Sequence, residues 1–526
     1  MKTDFSRVME LLAARFGETE AIVNVERDRR YTFAAFHKLT NRIANMMRNS
    51  LGLKKGDIAV AMVDNDNLTL VHFPTVFKQE ATIAFMNFRD SESEHMWQID
   101  FVQPKVVFIE NSLVPVYHQR LAERNCTIVA MDRLTEAERL PGVLDFWELV
   151  DAADDSNPGV ELDIHEHVSV LRFTGGTTGN GKCAQYSIDN FMATRDAAIA
   201  CRDFNVGPHA KFLLFTPISH GALLTFWPNF MSGGSTYTLN LPDLDVWADV
   251  VERESITHAF MVPTLLYRLA DANAGKKKNL SSLITILYGA APMAPARLSQ
   301  LIEQFGRIFI QAYGATETIQ YATTLDKDDH VITDDAGAAR LASAGRPTPG
   351  AELYIADDEG KPLPTNQVGE IRMRTRATIR GYYKNPEATA KEFQNGFWLS
   401  GDLGYLDEGG YLFIVDRKKD MIISGGFNVY AVEVEAVLCE HEAVSAAAVV
   451  GVPHAEWGEA VHAEVILRPG ASVDEAKLIE FAKAKLGYKC PKTINIVQEL
   501  PLSAVGKVLR RKVRDKYWAN KPRAIN

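Results

Sequence analysis

Over the first 320 or so residues one pattern governs the chain: short apolar runs rich in β-branched residues alternate with amphipathic helical stretches. The runs include "DIAVAMV", "KVVFIE", "CTIVAMD", "KFLLFTPI", "HAFMVP", "ITILYGA" and "RIFIQAYG", and "FAAFHKLTNRIANMMRNSLG" is the clearest helix. Strands and helices in alternation bury their apolar faces together when helices cover both sides of a mainly parallel sheet, so an α/β fold is expected. After residue 340 or so the pattern changes to short strands punctuated by turns, as in "GAELYIADDEGKPLPTNQVGEIRMR", which predicts a β-rich subdomain. Beyond Arg417 come a helix ("AVEVEAVLCEH"), two strands, a helix ("VDEAKLIEFAKAKLG") and a strand ("KTINIVQEL"), the pattern of a small α+β domain. The 526 residues exceed what one core usually holds, roughly 300. Residues 1–416 are therefore expected to form a large N-terminal domain of parallel-rich sheets flanked by helices, with the β-rich subdomain attached. Residues 417–526 are expected to form the small one, and the charged turn "DRKKD", Asp416 to Asp420, is the natural hinge.

Composition narrows the function classes. Lys and Arg number 57 against 67 Asp and Glu, a formal charge of −10 with no long basic block, which argues against nucleic acid as the partner. The opening "MKTDFSRVMELLAARFG" reads as an amphipathic helix of the fold rather than a signal peptide. The apolar run "AVSAAAVVGV" is about half the length needed to span a bilayer, so no integral membrane segment is expected. Cys126, Cys183, Cys201, Cys439 and Cys490 are odd in number and without C-x-x-C spacing, so neither a disulfide framework nor a zinc site is suggested. A cytoplasmic setting fits, and a homodimer is left open.

The stretch "TGGTTGNGKC", Thr174 to Cys183, nearly spells a Walker A loop, but Cys183 stands where Ser or Thr should hold Mg²⁺. A Walker lysine must open directly into a helix, whereas the first credible helix start here is Ser187, ahead of "IDNFMATRDAAIA". A surface turn is one alternative. Another is a hydroxyl- and amide-rich loop, closed by Lys182, that grips the β- and γ-phosphates of ATP with no helix behind it. Further along, "QAYGATE" sets an aromatic ring, a glycine, a hydroxyl and a carboxylate in succession after a strand, able to stack a base on Tyr313, bond phosphate with Thr316 and carry Mg²⁺ on Glu317. Asp402 and Arg417 suit the two hydroxyls of a ribose, and Lys507 follows a glycine near the C-terminus. Any one of these, taken alone, is as well explained by a solvated turn.

Together and in order, "TGGTTGNGK", "PISHG", "YGAAP", "QAYGATE", "SGDLGYLDEGG", "DRKKDMIISGGFNVYAVEVE" and "LSAVGKVLRRK" resemble the adenylate-forming superfamily of acyl-CoA synthetases, firefly-luciferase-like enzymes and peptide-synthetase adenylation domains. The resemblance runs from about residue 30 to residue 515. Three departures fall in the phosphate loop: Gly175 for the usual serine, Gly181 for a proline and Cys183 for a glycine. ATP binding is expected to survive them with a raised KM. Ser400 replaces a threonine, and Ala431 replaces the proline that usually follows the tyrosine of "NVY", a change expected to affect local stiffness only.

The resemblance implies a two-step reaction on a small-molecule carboxylic acid, using ATP, Mg²⁺ and coenzyme A. The acid attacks the α-phosphorus to give an acyl-adenylate and pyrophosphate, and the coenzyme A thiol then displaces AMP. It implies that Thr174, Gly176, Thr177, Thr178, Gly179 and Lys182 bind the phosphates, that Gly289, Ala290, Ala291, Tyr313 and Gly314 enclose adenine, and that Asp402 and Arg417 hold the ribose. Glu317 and Thr178 would hold Mg²⁺, Thr316 and Lys507 would contact the α-phosphate, and His220 would sit beside the acyl carboxylate. The small domain would be mobile and turn about Lys419, exchanging Lys507 for Gly425 and Gly426 beside the pantetheine arm. Gly221, Ala222, Trp227 and Ile319, with Ala290 and Ala291, would line an acyl pocket without a buried charge, suited to a fatty, aromatic or cyclic acid. Gly221 stands where amino-acid activators carry an aspartate, which disfavours that branch, and a nucleotide-binding sensor would be expected to lack Lys507, Glu317 or Asp402.

Overall fold

The computed structural model describes residues 1–174, 181–241, 243–271, 278–319, 321–502 and 508–518. Two large sheets form the body of the chain. The first has seven strands in the order Cys183–Ser187, Val168–Phe173, Thr82–Phe85, Ile58–Met62, Val106–Ile109, Thr127–Ala130 and Val143–Asp145. All its neighbours run parallel except the edge strand Cys183–Ser187. The second has nine strands, of which Phe309–Tyr313, Thr285–Gly289, His258–Met261, Lys211–Leu214, Ser235–Thr238 and Glu20–Asn24 make a parallel centre with antiparallel strands on both flanks. Ligands of such sheets gather beyond the C-terminal strand ends. Those are the ends that carry "TGGTTGNGK", "YGAAP" and "QAYGATE". The apolar runs read from the sequence all appear as strands, so the α/β architecture is as expected.

The helix expected from Ser187 spans Ile188–Ala200 and is opened by a capping box. The Ser187 N–H donates to Asn190 Oδ1 at 2.9 Å while Asn190 returns its own N–H to Ser187 Oγ. The strand Cys183–Ser187 thus separates Lys182 from any helix, and the Cys183 thiol is buried, with its pKa pushed up to about 12 by that burial. A Walker arrangement is excluded on both counts.

Between the sheets lies an aromatic core, and it takes in two residues of the expected acyl wall. Trp227, on the helix Leu223–Met231, is only 1% exposed and stacks on Phe77 at 4.9 Å with Phe5, Phe73, Phe191, Phe226 and Phe230 around it. Ala222 packs into the same core. Both were expected on the acyl-pocket wall. Their place in the helical turn, which no segment-level motif specifies, aims them inward.

A buried ionic network ties the hairpin of the second sheet to the strand ends of the first. Arg27 donates to Asp64 at 2.7 Å and to Asp66, Glu110 and Asp132 at 3.1 Å, and Arg29 joins at Asp132. Burial is the largest influence on the carboxyls of Asp66 and Glu110, raising them to about 7 and about 8. Arg27 is the cation shared by all four carboxyls. Arg27→Ala would leave the remaining charges uncompensated and is expected to cost about 3–5 kcal/mol, read as a lowered urea midpoint. An unchanged midpoint would show that the network is solvated and idle.

The β-rich subdomain is an antiparallel sheet of Glu352–Ala356, Gly369–Arg374, Phe397–Leu406, Phe393–Gln394 and Leu412–Arg417. The last of these strands ends on Arg417, so the sheet runs one residue past the expected division. A second five-stranded sheet with the helices Ala431–Cys439, Glu475–Leu486 and Arg510–Trp518 follows. The Ala431 N–H donates to the buried carboxylate of Asp416 at 2.5 Å, and Arg510 lies 3.6 Å from Asp416 and 2.5 Å from Glu435. The helix Ala431–Cys439 has no side-chain cap of its own, so a carboxylate from the preceding sheet fills that role. Ala431 therefore changes more than stiffness: proline has no N–H to donate there.

Candidate active site

Thr174 and Lys182, at the two ends of the segment expected to bind phosphate, follow the strand Val168–Phe173 and precede the strand Cys183–Ser187. The neck of that segment is closed by Thr174 N–H donating to the Lys182 carbonyl at 2.7 Å and by the Lys182 N–H donating to Thr174 Oγ1 at 3.1 Å. Gly176, Thr177, Thr178 and Gly179 lie outside the described residues. The Lys182 ammonium donates to Glu392 Oε2 at 2.5 Å and to the Tyr382 hydroxyl at 3.1 Å, and lies 4.5 Å from the centre of the Tyr382 ring. The Tyr382 oxygen is in turn 2.7 Å from Glu317 Oε1 and 2.6 Å from Glu392 Oε2, so its one proton serves one carboxylate at a time. Glu317 is buried, and that burial pushes its carboxyl above the ordinary range.

Glu317 follows the strand Phe309–Tyr313 through a tight turn. Ile319 donates its N–H back to the Ala315 carbonyl, and the Tyr186 hydroxyl donates to the Thr316 carbonyl at 2.7 Å. The neighbouring strand Thr285–Gly289 ends beside it. A Cβ at Gly289 would fall 2.3 Å from the Ala312 carbonyl oxygen, so only glycine lets the strands approach there. Ala290 then takes a left-handed conformation, φ +68°, which turns the chain sharply ahead of Ala291.

The residues expected around base and ribose meet. Tyr313 donates its hydroxyl to Asp402 Oδ2 at 2.8 Å, and Gly314 follows directly. Asp402 is the register partner of Arg417 across the β-rich sheet, with Arg417 Nε 3.4 Å from Asp402 Oδ1. Lys419 is half-buried beyond them, its pKa lowered first by burial and then by Arg417.

His220 breaks the helical turn Ile218–Ala222, with φ −124° and ψ −136°, and its Nδ1 sits 3.0 Å from Ser219 Oγ. The Ser219 carbonyl accepts from Arg172 at both Nε, 2.9 Å, and Nη2. Arg172 is buried 5.7 Å from the centre of the Tyr186 ring. A buried arginine thus stands next to His220, a residue the sequence reading passed over because an arginine inside the apolar run "VSVLRF" carries no local sign of its partner. Phe260 stands against Gly221, where a Cβ would lie 3.1 Å from its ring, and Ile319 is buried with φ +39°.

Gly425 and Gly426 form the turn of the hairpin Ile422–Ser424 and Phe427–Val429 at φ +59° and +83°. Two successive left-handed residues are what a tight hairpin requires, so the turn alone accounts for both glycines. Lys507 lies outside the described residues. Tyr382, Glu392 and Arg172 were missed by the motifs, and Tyr382 and Glu392 stand 200 and 210 positions from Lys182.

The described residues hold no group of three or more His, Cys, Asp or Glu side chains able to bind a metal ion. Mg²⁺ usually takes one or two carboxylates and completes its shell with water and substrate phosphates, a pattern that Glu317 beside the phosphate loop fits. No helix among the described residues is long and apolar enough to cross a membrane.

The ends of the parallel strands bring together a lysine-closed loop, an aspartate–arginine pair and a buried carboxylate, the polar groups a nucleotide site would need. The chain belongs to the adenylate-forming, AMP-binding enzymes: that family's model matches residues 9–383, and its C-terminal domain model matches residues 433–507. It is similar to the medium/long-chain-fatty-acid–CoA ligase FadD8 of Mycobacterium tuberculosis, 37% identical over 368 residues, with 68% of this chain and 63% of that protein covered. It is also similar to the fatty acid–[acyl-carrier-protein] ligase ScoC of Streptomyces coeruleorubidus, 31% identical over 95% of this chain and 94% of that one. ATP-bound MatB from Rhodopseudomonas palustris superposes with a TM-score of 0.85 at 26% identity, covering 97% of this chain and 99% of that one.

Proposed function

We propose that this chain is an AMP-forming acid–CoA ligase acting on an apolar fatty, aromatic or cyclic acid. The observation that carries the reading is the convergence of Lys182, Glu317 and the Tyr313–Asp402–Arg417 group on neighbouring strand ends. The carboxylate oxygen of the acid attacks the α-phosphorus of ATP and the bond to the β-phosphate oxygen breaks, releasing pyrophosphate. The coenzyme A sulfur then attacks the acyl carbon, the acyl–phosphate bond breaks, AMP leaves, and the thiol proton goes to solvent. Lys182 and the loop hydroxyls hold the phosphates, Asp402 accepts from the ribose hydroxyls, and His220 flanks the acyl carboxylate. Lys507 supplies a positive charge where negative charge builds up, and Mg²⁺ held by Glu317 with Thr178 would neutralise the phosphates. All five cysteines are unpaired, which supports a reducing cytoplasm.

Pyrophosphate release over a panel of acids, each with and without coenzyme A, tests the reading. One class of acid turning over repeatedly only with coenzyme A supports it, and no release from any acid opposes it. A carrier protein is the competing acceptor, favoured by the end-to-end similarity to ScoC. Turnover with a phosphopantetheinyl carrier but not with coenzyme A would select it.

The small domain, divided from the large one near Asp416 and Arg417, is taken to turn about Lys419 between the two half-reactions. Lys419→Pro fixes φ near −65° and is expected to slow one half-reaction at least tenfold more than the other in single-turnover assays, by roughly the extent to which gating residues shape turnover. Equal slowing of both would remove Lys419 from that role.

A further inference from the structure

The Lys182 ammonium, the group expected on the ATP phosphates, is already committed to Glu392 and Tyr382. Glu392 closes the helix Pro386–Glu392, and a negative side chain in the last turn is disfavoured by the partial negative charge of the exposed carbonyls. Lys391 in the same turn and the ion-paired Lys182 both offset this, and Lys182 is the one in direct contact with Glu392. At 30% and 27% exposure the pair stays open to solvent, so a triphosphate can reach the ammonium and compete for it. The Tyr382 hydroxyl lies within reach of both Glu392 and Glu317, so its one proton can turn from the Glu392 carboxylate to the expected metal-binding one.

We propose that Glu392 is a positioning residue that latches the phosphate-loop lysine: it holds Lys182 against Tyr382 while the triphosphate subsite is empty and yields it to the β- and γ-phosphates of ATP. This rests on the proposed ATP-dependent function. The latch discriminates by phosphate number. ATP offers the lysine a more highly charged partner than one carboxylate, whereas AMP has nothing at that distance to offer, so the ion pair stays closed under AMP and closes again once pyrophosphate has left. It also supplies a reason, separate from the altered loop, to expect a raised KM for ATP.

Isothermal titration of the full chain with MgATP and, separately, with AMP tests the latch. Glu392→Gln removes the competing charge, and ATP is expected to bind roughly three- to tenfold more tightly while AMP affinity stays within about twofold. Glu392→Ala carries the same expectation and serves if the glutamine variant folds poorly, and Glu392→Asp, which keeps the charge, is expected to return ATP affinity toward that of the parent. In a Lys182→Ala background, Glu392→Gln is expected to have no effect on ATP. Weaker or unchanged ATP binding in both the glutamine and alanine variants, an equal shift for AMP, or a persisting effect without Lys182 each overturns the latch. Absence of ATP binding by the parent chain would overturn the proposed function itself, which separates the two failures.

Discussion

Glu317→Gln is expected to slow pyrophosphate release by roughly a hundred- to a thousandfold, the usual loss when one preorganised group facing transition-state charge is removed. The substitution keeps shape and can still accept from Tyr382, 2.7 Å away, so charge is the main thing lost. Without that charge the phosphates would lose the carboxylate that fits their metal ion, and raising Mg²⁺ should recover only part of the rate. Stability should not fall: burial already disfavours the charged carboxylate, so a neutral amide is expected to leave Tm unchanged or slightly higher. A variant that releases pyrophosphate at the parent rate at ordinary Mg²⁺ would refute the metal-binding role. A variant with a much lower Tm would point to a structural one.

The second large effect is expected from Lys507→Ala, again roughly a hundred- to a thousandfold, but confined to the first half-reaction. The residues on either side of its segment are held: Leu502 pairs with Val508 in a β-bridge, and the Leu509 N–H donates to the Pro501 carbonyl at 2.8 Å. The following helix, Arg510–Trp518, is anchored by Arg510 to Glu435 and Asp416. Replacing the lysine should therefore remove a cation without unseating the domain. Supplying the acyl-adenylate directly and following thioester formation separates the steps. Near-parental thioester formation with lost adenylation is the expected result, and equal loss in both would assign Lys507 to the fold rather than to the α-phosphate.

Much of the site was legible because its parts are local. "VSVLRF" is a strand by its apolar run, Ser187 caps a helix by its spacing to Asn190, and "QAYGATE" places Tyr313 and Glu317 at a strand end in four residues' distance. The alternating strands were legible for the same reason, whereas the sequence reading assigned Gly425 and Gly426 to the pantetheine arm and the hairpin turn they form came from the structure. Where the reading went wrong, direction was at issue. Trp227 and Ala222 were assigned to a pocket because the resemblance implies that their segment lines it, and the structure shows both packed in the core. Arg172 was passed over within an apolar strand, yet it clamps the carbonyl next to His220.

The order of strands and helices, the helix caps and the succession of motifs are determined by the sequence alone, because each depends on backbone conformation and periodicity within a few residues. The partners of Lys182, the Tyr313–Asp402 bond, the Arg27 network and the Asp416–Ala431 link were decided only by the tertiary structure. They join residues that the packing of separate sheets brings within hydrogen-bond reach. Burial, which sets both the raised carboxyl of Glu317 and the inward face of Trp227, exists only once those sheets have closed on one another.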